Sequence, residues 1–431
     1  MKWVSGAAGE RGGAYRKLLR LSCVLCLLFP SGVSAAQQTA LPPRPPADPL
    51  TVYLMTMGPG KAVWERFGHN AIWIHDPVRG SDEAYNYGLF DLRQEKFLVR
   101  FLQGRMWYWM QGFPAESYVQ LYRRANRSVW IQELEMTPES KRELQNFLEW
   151  NELPENRFYH YDYYRDNCST RVRDALDRAL NGRIKDYAGT LPTGKTYRFH
   201  TQRLTANDPL VYTGLLLGLG QPVDREISAW QEMFLPLALR DHIRNITVPG
   251  ADGTQVPAVR SEQTLFESSD RPPPEAPPFW LPAYVALGVA VAAGTIALAR
   301  AGTTRPAARR GFNVLSGGWT LLVGIFGLVL AGLWAFTDHA AAYQNENLLQ
   351  LNPLQLALFP LLVRSTSASQ QRRVWVAGLL AALSVAGLLL KLIPGFYQVN
   401  GEIIGLTLPI HLGVAAGCYY LSRCIPSRAS G

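Results

Sequence analysis

The stretch "YRDNCSTRVRDALDRAL", Tyr164–Leu180, carries a helix pattern with a cysteine at its start. Val172, Ala175, Leu176, Ala179 and Leu180 recur at the spacing of a helix with one apolar face. Asp166 or Asn167 suits the N-cap, and Gly182 suits the stop. Cys168 then falls in the first turn, where backbone N–H groups lack partners and the dipole favours negative charge. That dipole contributes about 0.3–1 kcal/mol, less than the roughly 1.4 kcal/mol of one pKa unit. Alone it leaves a thiol protonated at neutral pH; a neighbouring histidine shifts it further.

The rest of the chain says where this cysteine works. Arg11, Arg16, Lys17 and Arg20, then "LSCVLCLLF" and the small residues of "SGVSAA", read as a secretory signal peptide over 1–36. Of the five cysteines, Cys23 and Cys26 leave with that signal, and Cys418 and Cys424 lie in or just after the last apolar segment. Cys168 is left without an intramolecular partner in a compartment that favours disulfides. "QQTALPPRPPAD", 37–48, is a proline-rich leader. A globular region follows over 49–250, then a linker over 251–278 that ends in "SSDRPPPEAPPF".

Residues 279–424 read as a transmembrane domain. "FWLPAYVALGVAVAAGTIALA", Phe279–Ala299, is uncharged and spans about 31 Å as a helix. Four more apolar segments lie near 314–336, 349–363, 374–393 and 403–422, and the third is short enough to be re-entrant. Arg300, Arg305, Arg309 and Arg310, then Arg364, Arg372 and Arg373, then Arg423 and Arg428 all fall on one side if the chain crosses five times. The alternate loops hold no Arg or Lys. The globular region then stands on the periplasmic side of a bacterial inner membrane. The net charge of +9 is mostly this topology signal, which excludes nucleic acid as a partner.

The histidine best placed to serve Cys168 is His69 in "WERFGHNAIWIHDP". "HNAIWI" reads as a strand, "DPVRGS" as a turn and "EAYNYGLF" as the returning strand. A histidine at a strand mouth facing a cysteine at a helix start is a papain-like arrangement, with the histidine first in the chain. A third group should orient the imidazole. Hairpin pairing puts residues near 89–91 opposite His69, which favours Asp91, with Asn86 as the other choice. His75, His160, His200 and His242 compete for the base. No close Cys/His pair has metal-ligand spacing, so neither metal nor cofactor is expected.

Four segments, "RFGHNAIWI", "YNYGLFDL", "DYYRDNCSTRVRDAL" and "SAWQEMFLPLAL", followed by five apolar helices, resemble the Lnb family. That resemblance implies an α+β, circularly permuted papain-like periplasmic domain, of the NlpC or lecithin retinol acyltransferase type, on a five-helix transmembrane bundle. It implies a lipoprotein intramolecular transacylase, moving an acyl chain from the diacylglyceryl group to the N-terminal cysteine amine. His69 and Cys168 match the family's base and nucleophile. The alternatives are a papain-like lipase or deacylase, a cell-wall amidase or peptidase, and a non-enzymatic envelope binding protein. The expected partner is a membrane lipid or lipoprotein.

Three residues are candidates for binding substrate. Arg198 in "TYRFH" suits a phosphate or carboxylate. Trp107 in "FLQGRMWYWMQGF", with Tyr108 and Trp109, suits the membrane interface, against the alternative of a buried strand. Tyr87 lies in the "NYG" segment. The outer loop after the second apolar segment, with Asp338, His339, Asn345, Glu346 and Asn347, is either a headgroup-binding mouth or a solvated connector.

Overall fold

The computed structural model describes residues 50–250, 253–363 and 367–423. The expected signal peptide and proline-rich leader lie outside these residues. The sheet is built from β1 (Thr51–Met57), β2 (His69–Asp76), β3 (Ser81–Leu89), β4 (Trp107–Pro114), β5 (Val129–Leu134), β6 (Phe158–His160) and an edge strand, Val259–Phe266. Their order is edge strand, β5, β1, β2, β3, β4, β6, and every neighbouring pair is antiparallel.

Alternation along the strands sends side chains to opposite faces. Val52, Leu54, Ile72 and Ile74 face the helices Pro138–Glu152 and Cys168–Ala179, where Leu144, Leu148, Val172 and Leu176 close the core. Tyr53, Met55, Met57 and Ala71 face the helix Ala115–Arg124 through Tyr118, Val119 and Tyr122. The expected α+β architecture is therefore present, with the Cys168 helix on one face of the sheet.

The linker expected over 251–278 is shorter than that. Val259–Phe266 pairs with β5 as the outermost strand of the sheet, with irregular register at both ends. Its "VRSEQTLF" alternates too weakly, and with too many polar residues, to announce a half-exposed edge.

The membrane part contains the helices Leu281–Ala301, Pro306–Phe336, Gln355–Val363, Ser367–Leu389 and Gly401–Arg423. Among the described residues, four helices are long and apolar enough to cross a bilayer. Gln355–Val363 has nine residues and rises only about 14 Å. The chain before it, 337–354, is irregular and descends between helices. A Cβ on Gly327, in the middle of the second membrane helix, would stand 2.3 Å from the Leu351 carbonyl oxygen. The carbonyls of Leu361 and Leu362 accept hydrogen bonds from Arg373, so the short helix ends at the arginine-rich side. The third membrane segment is thus part irregular chain and part short helix. Irregular backbone is tolerated at that depth because protein covers it: Asn347 and Gln350 are buried, and Gln350 Nε2 donates to the Ser384 carbonyl at 2.9 Å. His411, in the fifth helix, faces the bundle as the cost of lipid exposure requires.

The two parts are joined by polar contacts. Gly220 N donates to Ala341 O at 2.8 Å, Asn345 Nδ2 to Leu217 O at 2.7 Å and Asn347 Nδ2 to Leu216 O at 2.9 Å. Gln221 Nε2 donates to Glu346 Oε1 at 2.6 Å, and Lys391 pairs with the other carboxylate oxygen. The outer loop is therefore mostly a joint over Asn345, Glu346 and Asn347. A Cβ on Gly220 would stand 2.0 Å from the Tyr343 carbonyl oxygen. Gly220→Ala is expected to destabilise this joint by about 1–3 kcal/mol, read as a lower unfolding midpoint of the full-length protein in lipid nanodiscs. A wild-type midpoint would contradict the contact.

Candidate active site

Cys168 is the first residue of its helix and is half-buried. Asn167 is the N-cap: its Oδ1 accepts from the Ser169 and Thr170 amides at 2.9 Å each, and Thr170 Oγ1 accepts from the Asn167 amide at 2.8 Å. Asn167 Nδ2 donates to the carbonyls of Tyr163 and Phe234, so the cap is itself clamped. Ser169 Oγ then reaches the sheet. It lies 2.8 Å from Asn70 Oδ1 and 2.7 Å from the Met233 carbonyl. Asn70 is wholly buried and anchored to Thr56 Oγ1 at 2.9 Å. The helix start is thereby tied to β2 one residue from His69.

The sheet opens at the same place. The β2–β3 ladder runs from Asp76↔Ser81 to Ala71↔Asn86 and stops there. β3 also shifts register against β4 between Asn86 and Leu89. Gly88 has φ +96°, which L side chains rarely adopt. A Cβ there would stand 3.3 Å from Cys168 Cβ and 3.7 Å from His69 Cε1. The structure therefore brings Cys168 and His69 to one point, across a glycine that has no side chain to separate them.

His69 Nε2 is hydrogen-bonded to Asn86 Oδ1. Because an amide oxygen only accepts, the ring proton sits on Nε2 and Nδ1 keeps its lone pair. Asn86 lies opposite Ala71, and Ala71 shares a face with His69, which makes Asn86 the diagonal same-face neighbour. The expected opposition of His69 to residues 89–91 fails because the hairpin closes tightly at Asp76↔Ser81, which puts Gly88 level with His69. Asp91 lies beyond the strand and gives both carboxylate oxygens to Arg93.

Burial pushes the His69 imidazolium down to about 4, against the opposing pull of Asn86 and with a smaller push from Arg127. Burial also pushes the Cys168 thiol up to about 11, although the amides of Asn70, Ser169 and Cys168 and the Arg127 guanidinium favour the thiolate. Between these values both groups are uncharged. Both shifts favour the uncharged thiol and imidazole over the ion pair expected from a histidine beside a helix-start cysteine. The Tyr159 hydroxyl is buried without a hydrogen-bond partner, and it lies 3.9 Å from the same Gly88 Cβ position.

The other candidates lie elsewhere. Arg198 is fully buried and bidentate to Asp224, at 2.6 and 3.0 Å, and it also donates to the Leu219 and Gly220 carbonyls. It holds the loop that meets the membrane part and does not face Cys168. Tyr87 is in the core, with its hydroxyl donating to Asn151 Oδ1 at 2.7 Å. Trp107 is partly exposed and lies against His160, ring centroids 4.0 Å apart. His200 and His242 both bind Glu232, and His75 lies against Asp82. Among the described residues no cluster of His, Cys, Asp or Glu suits a metal ion. Asn70, Ser169, Gly88 and Tyr159 were not singled out from the sequence, although "HN" and "CS" stand beside the residues that were.

Fold and site together define a mixed α+β domain, joined to a helical membrane domain, with a cysteine and a histidine converging at a helix start. The Lnb N-terminal periplasmic domain matches residues 44–203, and the Lnb transmembrane domain matches residues 276–420. The chain belongs to the Lnb family, whose membership supports a membrane-anchored, lipoprotein-modifying enzyme with a periplasmic domain. No curated protein and no solved structure matches it.

The neutral pair has a measurable consequence. Alkylation of Cys168 by iodoacetamide, followed by mass spectrometry of its peptide, is expected to accelerate roughly tenfold per pH unit between pH 6 and 9. A rate already at its plateau by pH 6 would mean a resting thiolate–imidazolium pair.

Proposed function

We propose that the protein is a lipoprotein intramolecular transacylase of the bacterial inner membrane. Cys168 is the nucleophile, His69 the general base and Asn86 the residue that orients the imidazole. The observation that carries this is the convergence of Cys168 and His69 over Gly88, with Asn86 hydrogen-bonded to Nε2 of the ring.

The chemistry follows from the geometry. His69 Nδ1 takes the thiol proton as Cys168 Sγ attacks an ester carbonyl of the diacylglyceryl group. The oxyanion is held by the amides of Cys168 and Asn70 and by the otherwise unpartnered Tyr159 hydroxyl. Collapse breaks the C–O bond, and the glycerol oxygen takes the proton from His69. The thioester is then attacked by the α-amine of the lipoprotein's N-terminal cysteine. His69 accepts the amine proton and returns it to the departing sulfur. One ester becomes one amide, and no water, metal or cofactor is consumed.

The test expresses full-length protein in membranes lacking other lipoprotein acylases and reads the N-terminus of a reporter lipoprotein by mass spectrometry. Wild type is expected to give the N-acylated lyso form. Cys168→Ser should abolish it, and His69→Ala should lower it by roughly 10²–10⁴-fold. Fatty acid release without N-acylation would make the enzyme a lipase. Unchanged product in Cys168→Ser would end the thiol mechanism.

Two substitutions test the supporting groups. Asn86→Ala is expected to cost about 10²-fold through loss of ring orientation, while Asp91→Ala stays within about twofold of wild type. Tyr159→Phe is expected to slow turnover by about 10²-fold without lowering the unfolding midpoint, because the hydroxyl it removes makes no internal hydrogen bond.

A further inference from the structure

The short helix Phe97–Gln103 buries none of its residues. Leu98, Val99, Phe101 and Leu102 are exposed by 68, 50, 41 and 57%, values no packed helix would leave to water. Its height relative to the bilayer is fixed by contacts with the residues that follow the second membrane helix, Pro306–Phe336. Asp338 N donates to Gln103 O at 2.8 Å, His339 Nε2 lies 2.9 Å from Phe101 O, and Arg105 Nε donates to Asp338 Oδ2 at 2.6 Å. A Cβ on Gly104 would stand 2.9 Å from the His339 amide nitrogen, so the two chains touch backbone to backbone. Trp334 and Phe336, at the outer end of that membrane helix, are themselves exposed, as interfacial aromatics are. Lys96 and Arg100 flank the apolar residues and suit the phosphates of a lipid surface.

Behind this helix runs a belt of aromatic rings. Phe101 stacks on Phe97 and Phe97 on Phe90, both at 6.3 Å between centroids. Phe90 stacks on Tyr108 at 5.1 Å, and Tyr108 on Tyr161 at 4.1 Å. The belt closes through Tyr163 and His339, which returns to Phe101. One rim therefore lies beside the residues that follow the second membrane helix. The other rim runs toward the nucleophile: Tyr108 and Tyr161 pack, as Cys168 does, against the same hydrophobic core.

We propose, resting on the acyl-transfer function above, that the helix Phe97–Gln103 dips into the outer leaflet and that the belt from Phe101 to Tyr161 carries the substrate's acyl chain from the bilayer to Cys168. The occupant is a lipid acyl chain. The exposed face offers apolar and aromatic surface with cationic flanks, and its position is continuous with the membrane helices.

The test reconstitutes the full-length protein in phosphatidylethanolamine–phosphatidylglycerol vesicles holding a trace of phospholipid with a mid-chain diazirine. After irradiation, adducts are mapped by mass spectrometry in wild type and in Cys168→Ser. Adducts are expected on residues 97–108 and on Tyr161 in both proteins. Adducts confined to the five membrane helices would overturn the route. In a Leu98→Glu, Leu102→Glu variant, whose exposed positions leave the core intact, adducts at Tyr108 and Tyr161 should fall by at least about tenfold, since two leucines no longer enter lipid. Unchanged labelling there would also overturn it. The readout is independent of turnover: adducts without N-acylation keep the route and sink the transacylase, and N-acylation without adducts does the reverse.

Discussion

The hydrogen bond from Ser169 Oγ to Asn70 Oδ1 is the contact on which the site depends. It joins the first turn of a helix on one face of the sheet to the strand that starts with His69. Both groups are fully buried, and the single Ser169 hydroxyl proton is shared between Asn70 Oδ1 and the Met233 carbonyl, at 2.8 and 2.7 Å. Asn70 spends its other side-chain atom on Thr56 in the neighbouring strand, and Asn167 clamps the same helix start from the opposite side. Position is thus transmitted from β1 through β2 to Cys168 by side chains with no freedom to reorient. What remains is to let two residues on opposite faces meet. Gly88 does this, because the sheet ends its pairing where the left-handed glycine stands.

A second constraint holds the domain to the bilayer. Buried asparagines and a glutamate of the irregular segment before the short helix accept and donate across the joint, and Arg198 with Asp224 stiffens the loop they grip. Polar groups at that depth are costly unless all are paired, and paired networks of this kind fix one geometry. The domain is therefore not tethered through a flexible linker. Its orientation places the helix Phe97–Gln103 against the residues that follow the second membrane helix.

The proposed nucleophile and base could be picked out in the sequence because each sits in a strongly patterned element. Cys168 opens a helix with clean periodicity, and His69 opens a strand rich in β-branched and aromatic residues. The third group was not resolved, because its identity turns on hairpin register, and a shift of one or two residues in the turn moves a different side chain beside the imidazole. Asn86 wins over Asp91 through the tight closure at Asp76↔Ser81. Arg198 misled for a different reason: a buried arginine and a substrate-binding arginine look alike until the carboxylate of Asp224 is seen in front of it. The edge strand Val259–Phe266 hid in a polar stretch because an edge needs only one covered face. Tyr159 could not be found at all, since an unpartnered hydroxyl is a property of its surroundings.

The uncharged state of the resting pair fits a site that borders lipid. An ion pair next to an apolar chain must be stripped of water, and its mutual attraction need not repay that desolvation. A neutral thiol and imidazole lose little when an acyl chain displaces water from the site. In the proposed mechanism charge arises only as the sulfur attacks, where the amides of Asn70, Ser169 and Cys168 and the charge of Arg127 favour it. Arg127 is anchored on the Gly58 carbonyl at 2.9 Å and lies over the Tyr122 ring, with one buried nitrogen unpartnered. Its field disfavours imidazolium and favours thiolate at once. In the proposed mechanism, stabilisation would then fall on the sulfur and the developing oxyanion more than on a resting ion pair, the differential that lowers a barrier.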